Sequence, residues 1–308
     1  MAKQVALIFP GQGAQKVGMG KEFYAQVPEA KQIFDKANEI IGGDLTRIMF
    51  EGPEEKLVST ACCQPAIFTM SMAALAAFRS STKFGAVSVV YTAGLSLGEY
   101  SALCAAGSVS FEDCLRLIQK RGALMEEAAK ANPGKMAAVI GFDLQKLVEI
   151  CAASGAEIAN FNAPDQVVIT GAPSCVEKAC GMIAAAGGRK VIPLDVSGAF
   201  HSSLMSSAAQ KFALAVADVP FKVTDIRVVT NVNARPQATV EEIRLNLPRQ
   251  ICSSVQWVDS INFLSSQGVT DFIEIGPGRV LKGLLRKIDP ALNVQNIQTP
   301  EDLAALLF

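Results

Sequence analysis

One turn constrains this chain more than any other feature. A short apolar run at 87–92, Val-Ser-Val-Val-Tyr-Thr, leads straight into Gly94-Leu95-Ser96-Leu97-Gly98, and a helix of small residues follows over 97–106. Gly-x-Ser-x-Gly between a strand and a helix is a nucleophile elbow. The reversal is so tight that flanking side chains must be absent, and the serine is pushed out at the edge of a sheet. Such a turn needs a sheet whose strands end at a common edge, with helices packed against them. The rest of the sequence supplies them: short β-branched runs alternate with longer helical patterns, which predicts an α/β fold with a largely parallel sheet.

The first strand is expected at 5–9, stopped by Pro10 and Gly11. Helices are expected around 21–41 and 66–78, and a longer one from 111 to about 130. Residues 136–194 have another rhythm: strand 136–140, helix 143–153, strands 156–160 and 167–170, helix 173–186, strand 189–194. This βαββαβ order is that of a ferredoxin-like unit, bracketed by Asn132-Pro133-Gly134 and Ser197-Gly198. The expected organisation is a large domain from 1–131 and 198–308, interrupted by a small subdomain at 132–197. Beyond it come a strand at 226–230, helices near 240–247 and 258–267, a strand at 272–275 and a helix from 279.

Half of the 308 residues are hydrophobic and 19% are charged, enough for a large core and against disorder. A net charge of -1 provides no basic surface for nucleic acid or anionic lipid. The eight cysteines form no Cys-x-x-Cys pair, and with a single histidine there is no Cys/His zinc site, so no metal is expected. Reduced, structural thiols fit a cytoplasmic protein. The longest apolar run, 66–78, is too short for a bilayer and reads as a buried helix.

That single histidine, His201, lies about a hundred residues after the elbow serine. A serine hydroxyl is a weak nucleophile until a base takes its proton, and imidazole suits that task near neutrality. Alone, His201 reads as a satisfied side chain at a helix start; paired with Ser96 it reads as a catalytic base. No acid is an obvious third member, and a backbone carbonyl can orient the ring instead. The Leu97 N–H is placed to receive an oxyanion. The loop Gly11-Gln12-Gly13-Ala14-Gln15 lacks the marks of a dinucleotide or phosphate loop and better suits the second oxyanion N–H. Arg121 shares the apolar face of its helix with Leu117, Ile118 and Met125, and so needs an anion there. A protein carboxylate and a substrate carboxylate are equally open. Glu99 reads most simply as an acid in the first turn of the elbow helix. Asn160 and Asn162 read as turn asparagines or as lining of a cleft.

Together these motifs resemble the malonyl-CoA:acyl carrier protein transacylase family over essentially the whole chain. The resemblance rests on an ordered set: Phe9-Pro10-Gly11-Gln12-Gly13, Gln64-Pro65-Ala66, Gly94-Leu95-Ser96-Leu97-Gly98-Glu99-Tyr100, Arg121-Gly122, Phe200-His201-Ser202, Arg249-Gln250, and Glu274-Ile275-Gly276-Pro277-Gly278. It implies an α/β-hydrolase-like core with a ferredoxin-like subdomain. It also implies that Ser96 is acylated and His201 is its base, with the Gln12 and Leu97 N–H groups as oxyanion hole. Arg121 would bind the malonyl carboxylate, and the main-chain carbonyl of Gln250 would orient His201. Gln64, Phe200 and Asn162 would line the pocket, Phe200 favouring malonyl over methylmalonyl. The partners implied are malonyl-CoA and acyl carrier protein, with no cofactor, no nucleic acid, no membrane and a monomeric enzyme of fatty acid synthesis. Two positions depart from the family pattern. Leu95 stands where many members have histidine, and Gly198 replaces a residue that often shapes the pocket. A thioesterase built on the same elbow is the rival reading, although such hydrolases usually place their histidine late in the chain. A carrier-docking module without activity is the other.

Overall fold

Alternate residues of the first strand face different cores, and this divides the molecule into layers. In the computed structural model, which describes residues 2–308, β1 (Lys3–Phe9) points Val5, Leu7 and Phe9 into one apolar cluster and Ala6 and Ile8 into another. A strand covered on both faces is apolar throughout rather than alternating. The first cluster holds the buried helix Thr60–Ser80, and the second holds helices Trp257–Ser266 and Val280–Ile288.

The central sheet also contains β2 (Val87–Gly94), β7 (Arg227–Val229), β8 (Asp271–Ile275) and β9 (Asn293–Ile297), in the order β7-β2-β1-β8-β9, all parallel. Phe9 pairs with Gly94, so the loop after β1 and the turn after β2 leave the sheet side by side. Ligands in open parallel sheets sit beyond these carboxyl ends, where the chain departs to either side. A second sheet is antiparallel: β3 (Lys135–Ile140), β4 (Glu157–Ala163), β5 (Gln166–Gly171) and β6 (Lys190–Pro193) run in the order β4-β5-β3-β6. With helices Leu144–Ser154 and Pro173–Ala185 between its strands, this is the expected ferredoxin-like arrangement. The small sheet is tied to the segment that leads into helix Trp257–Ser266, where Val255 donates to Ala159 of β4 at 2.8 Å and accepts from Phe161 at 3.0 Å.

Several expectations need correction. The helix expected at 21–41 is two, Lys21–Gln26 and Pro28–Ile41, because a residue preceding proline is pushed out of the helical region and Val27 is extended. The helix expected at 66–78 spans Thr60–Ser80 and carries Pro65 in its second turn, where the missing N–H forfeits one bond. It is long and apolar enough to cross a bilayer, yet 83% of its apolar window is buried inside the protein. It packs so closely on the helix Phe111–Ala131 that a Cβ on Gly122 would lie 3.0 Å from the Thr60 carbonyl oxygen. The helix Ser206–Ala217 and the edge strand β9 were not anticipated from the sequence.

Candidate active site

The elbow is built from backbone in contact with backbone. A Cβ on Gly94 would lie 2.0 Å from the carbonyl carbon of Gly98, and one on Gly98 would lie 2.1 Å from the Phe9 carbonyl oxygen. Only glycine fits at either place. Between them Ser96 is held at φ 51, a left-handed conformation disfavoured for a residue with a Cβ. Asn231, just beyond β7, holds the turn in that shape: its Oδ1 accepts from the Ser96 N–H at 2.6 Å, and its Nδ2 donates to the Gly94 carbonyl at 2.7 Å.

The Ser96 hydroxyl meets the imidazole of His201, with Oγ and Nε2 2.8 Å apart. His201 is also left-handed, at φ 58, in the loop that returns from the small subdomain, and its N–H donates to the Ile251 carbonyl. Its Nδ1 faces two main-chain carbonyls, Gln250 at 2.8 Å and Ser253 at 3.1 Å. Carbonyl oxygens only accept, so Nδ1 must carry the proton and Nε2 presents its lone pair to the serine. Burial, reinforced by the Arg121 charge, lowers the imidazole pKa from 6.5 to about 4, the two carbonyls opposing. At neutral pH the ring is therefore an unprotonated base. Among the described residues no carboxylate completes the pair.

Arg121 reaches this point from the buried face of its helix and is 1% exposed. Its Nη1 donates to Gln64 Oε1 at 2.7 Å, while Nη2 donates to Gln250 Oε1 at 3.0 Å and to Ser96 Oγ at 3.1 Å. The guanidinium lies over the Tyr100 ring, 5.2 Å from its centroid. Among the described residues no carboxylate lies within ion-pairing distance of it. A buried cation held by neutral amides and a hydroxyl is short of an anion, so of the two readings left open, a protein carboxylate is not the one found.

These groups share a cleft of about 150 Å³ between the two sheets. Gln12 and Leu97 border it, and among the described residues neither backbone N–H has an acceptor within the protein. Phe200 lines one wall, while Asn160 and Asn162 of β4 line the other. The Asn162 Oδ1 is buried without a partner among the described residues, which is more than a turn asparagine would show. Gln64 is placed differently from the other expected pocket residues. It is buried behind Arg121 and does not reach the cleft. Of the two departures, Leu95 borders the cleft, and Gly198 packs where a Cβ would sit 2.5 Å from that of Ala129.

Sequence reasoning missed Asn231 and Glu99. Asn231 follows a three-residue strand and carries no local motif. Glu99 does sit in the first turn of the helix Gly98–Ala106, but it is wholly buried instead of solvated, and it accepts hydrogen bonds from Asn231, Gln250 and Gln237.

Comparison with known proteins places this arrangement among others. Residues 6–299 match the acyl transferase domain family. The malonyl CoA-acyl carrier protein transacylase of Bacillus subtilis (strain 168) is 42% identical over 305 residues, 97% of this chain and 95% of that protein. The crystal structure of MCAT from Streptococcus pneumoniae superposes with a TM-score of 0.92 at 39% identity, covering 98% of both chains. A malonyl-transacylase solved in complex with its type II PKS acyl-carrier protein gives 0.93 at 36% identity, again over 98% of both.

Proposed function

We propose that this chain, which belongs to the malonyl CoA-acyl carrier protein transacylases of the acyl transferase family, moves malonyl from coenzyme A to acyl carrier protein through an ester on Ser96. The observation that carries the reading is the meeting of three groups at one oxygen. Ser96 Oγ lies 2.8 Å from a neutral imidazole nitrogen and 3.1 Å from a buried arginine that has no carboxylate of its own.

In the first half-reaction the Ser96 hydroxyl gives its proton to His201 Nε2 as Oγ attacks the thioester carbonyl. The negative oxygen of the tetrahedral intermediate is received by the Gln12 and Leu97 N–H groups, which are free to donate. The imidazolium returns its proton to the coenzyme A sulfur as the carbon–sulfur bond breaks. In the second half the same imidazole deprotonates the phosphopantetheine thiol of the carrier, whose sulfur attacks the ester, and the imidazolium returns that proton to Ser96 Oγ as the carbon–oxygen bond breaks. The neutral thiol and the serine are both restored, so protons and charge balance over the cycle.

Arg121 supplies the choice of acyl group. A malonyl carboxylate gives the buried guanidinium its missing anion in a planar two-point contact, whereas an acetyl group leaves it unpaired. Phe200, on the cleft wall, restricts a branched methyl and so favours malonyl over methylmalonyl. The chemistry resides in the thioester and these side chains and calls for no cofactor. The proposal is of a monomeric, cytoplasmic enzyme serving fatty acid synthesis, with no membrane and no nucleic acid partner.

The reading is tested by incubating the protein with malonyl-CoA, with and without carrier bearing its phosphopantetheine arm, and separating malonyl-carrier from free malonate. Carrier-dependent malonyl transfer is expected. Free malonate formed at the same rate whether or not carrier is present would instead identify a thioesterase.

A further inference from the structure

We propose that Glu99 is a positioning residue for carboxylate selection: it fixes the side-chain amide of Gln250 so that its oxygen, not its nitrogen, faces Arg121. The inference rests on the reading of Arg121 as the group that grips the malonyl carboxylate.

The Gln250 Nε2 donates to Glu99 Oε2 at 2.6 Å and to the Ser96 carbonyl at 3.0 Å. With its nitrogen committed there, Gln250 Oε1 is left toward Arg121 and accepts from Nη2 at 3.0 Å. An amide turned over would set an NH2 group against a guanidinium, donor against donor. The Ser96 carbonyl alone weakly opposes that flip, since a neutral acceptor binds an N–H about half as strongly as a charged one. Glu99 is suited to the task because everything around it donates. Besides Gln250, the Asn231 N–H reaches Oε2 at 3.0 Å and Gln237 Nε2 reaches Oε1 at 3.3 Å. Burial pushes the Glu99 pKa up, but hydrogen bonds from Asn231, Gln250 and Thr230 and the Arg121 charge pull it back, and donors on this side are arranged for the carboxylate form.

A second buried glutamate shows what a purely structural carboxylate looks like here. Glu274 accepts from the Leu281 and Lys282 N–H groups at the start of helix Val280–Ile288 and from Asn296, and touches nothing at the cleft. Glu99 differs in where its hydrogen bonds lead. One goes to the residue whose side chain holds Arg121 and whose main-chain carbonyl holds His201.

The experiment compares acylation by malonyl-CoA and acetyl-CoA, as kcat/KM, in the full-length protein. Glu99→Gln keeps the size but removes the charge, and it is expected to lower the malonyl-to-acetyl ratio by about tenfold, the loss of one charge-assisted hydrogen bond. Arg121→Ala serves as the control, with a larger collapse of the ratio. If Glu99→Gln slows both substrates in step, Glu99 supports only Asn231 and the elbow, and the inference is overturned. It is equally overturned if the ratio is unchanged while Arg121→Ala collapses it. An unchanged ratio in Arg121→Ala itself would instead remove the reading of Arg121. Should Glu99→Gln not fold, Glu99→Asp retains the charge but draws it back by one methylene, and it is judged on the same ratio. A double variant with Gln250→Met should lose no more selectivity than Gln250→Met alone, because Glu99 acts through that amide. Additive losses would contradict the route.

Discussion

The two sheets contribute to the cleft in different currencies. The parallel sheet contributes backbone: the loop after β1 and the elbow after β2 approach so closely that glycine carbons stand where any Cβ would overlap a carbonyl. The antiparallel sheet contributes side chains, Met136, Asn160, Asn162 and Val168, which line the opposite wall. Through Val255 and Ser254, both bonded to β4, it also reaches the segment whose Ser253 carbonyl steadies His201. Reactive geometry therefore lives in packed main chain that tolerates no added atom. The wall opposite is made of side chains that can be exchanged.

That contrast can be broken most easily at Gly98. Adding a methyl in Gly98→Ala drives it into the Phe9 carbonyl, and several kcal/mol of destabilisation or about a thousandfold loss of turnover is expected, read by thermal unfolding and transfer assay. A Gly98→Ala enzyme of ordinary stability and activity would show that the elbow is looser than its contacts indicate. The pH response sharpens the comparison next. Because His201 sits in the packed region with a pKa of about 4, the acid limb of kcat/KM should lie near there, not near 6.5, and should move upward in Arg121→Ala. The same shift links to stability. The unfolded chain takes up this proton near 6.5 and the folded one only near 4, so folding should weaken as pH falls through that window, a trend equilibrium unfolding would measure. The smallest effect belongs to the small subdomain: Asn162→Ala removes one polar contact from the wall and should cost about three- to tenfold in kcat/KM for malonyl-CoA with little change in stability. A loss as deep as that of Gly98→Ala would erase the distinction between the two sheets.

The sequence was most legible where local rules act. The elbow needs its glycines within five residues of each other, and the single histidine left no rival for the imidazole. The βαββαβ order of the insertion was visible from alternating short runs, and Arg121 from its place on an apolar helical face. What was not legible depends on distant partners. Glu99 looks like any acid in a first helical turn until Asn231, Gln237 and Gln250, more than 130 residues away, are folded onto it. Asn231 was invisible for the same reason, since its partners Ser96, Gly94 and Glu99 are more than 130 residues away. Gln64 shows the limit of resemblance, since a residue expected on the pocket surface lies one layer behind it, holding the arginine that does face the cleft.

The account stands or falls on Ser96 Oγ as the atom that carries the acyl group. Mass spectrometry of peptides from protein quenched after brief exposure to malonyl-CoA should locate a malonyl ester on Ser96, absent from Ser96→Ala and discharged when carrier bearing a free thiol is added. A malonyl group found on a cysteine, or retained in Ser96→Ala, would contradict it.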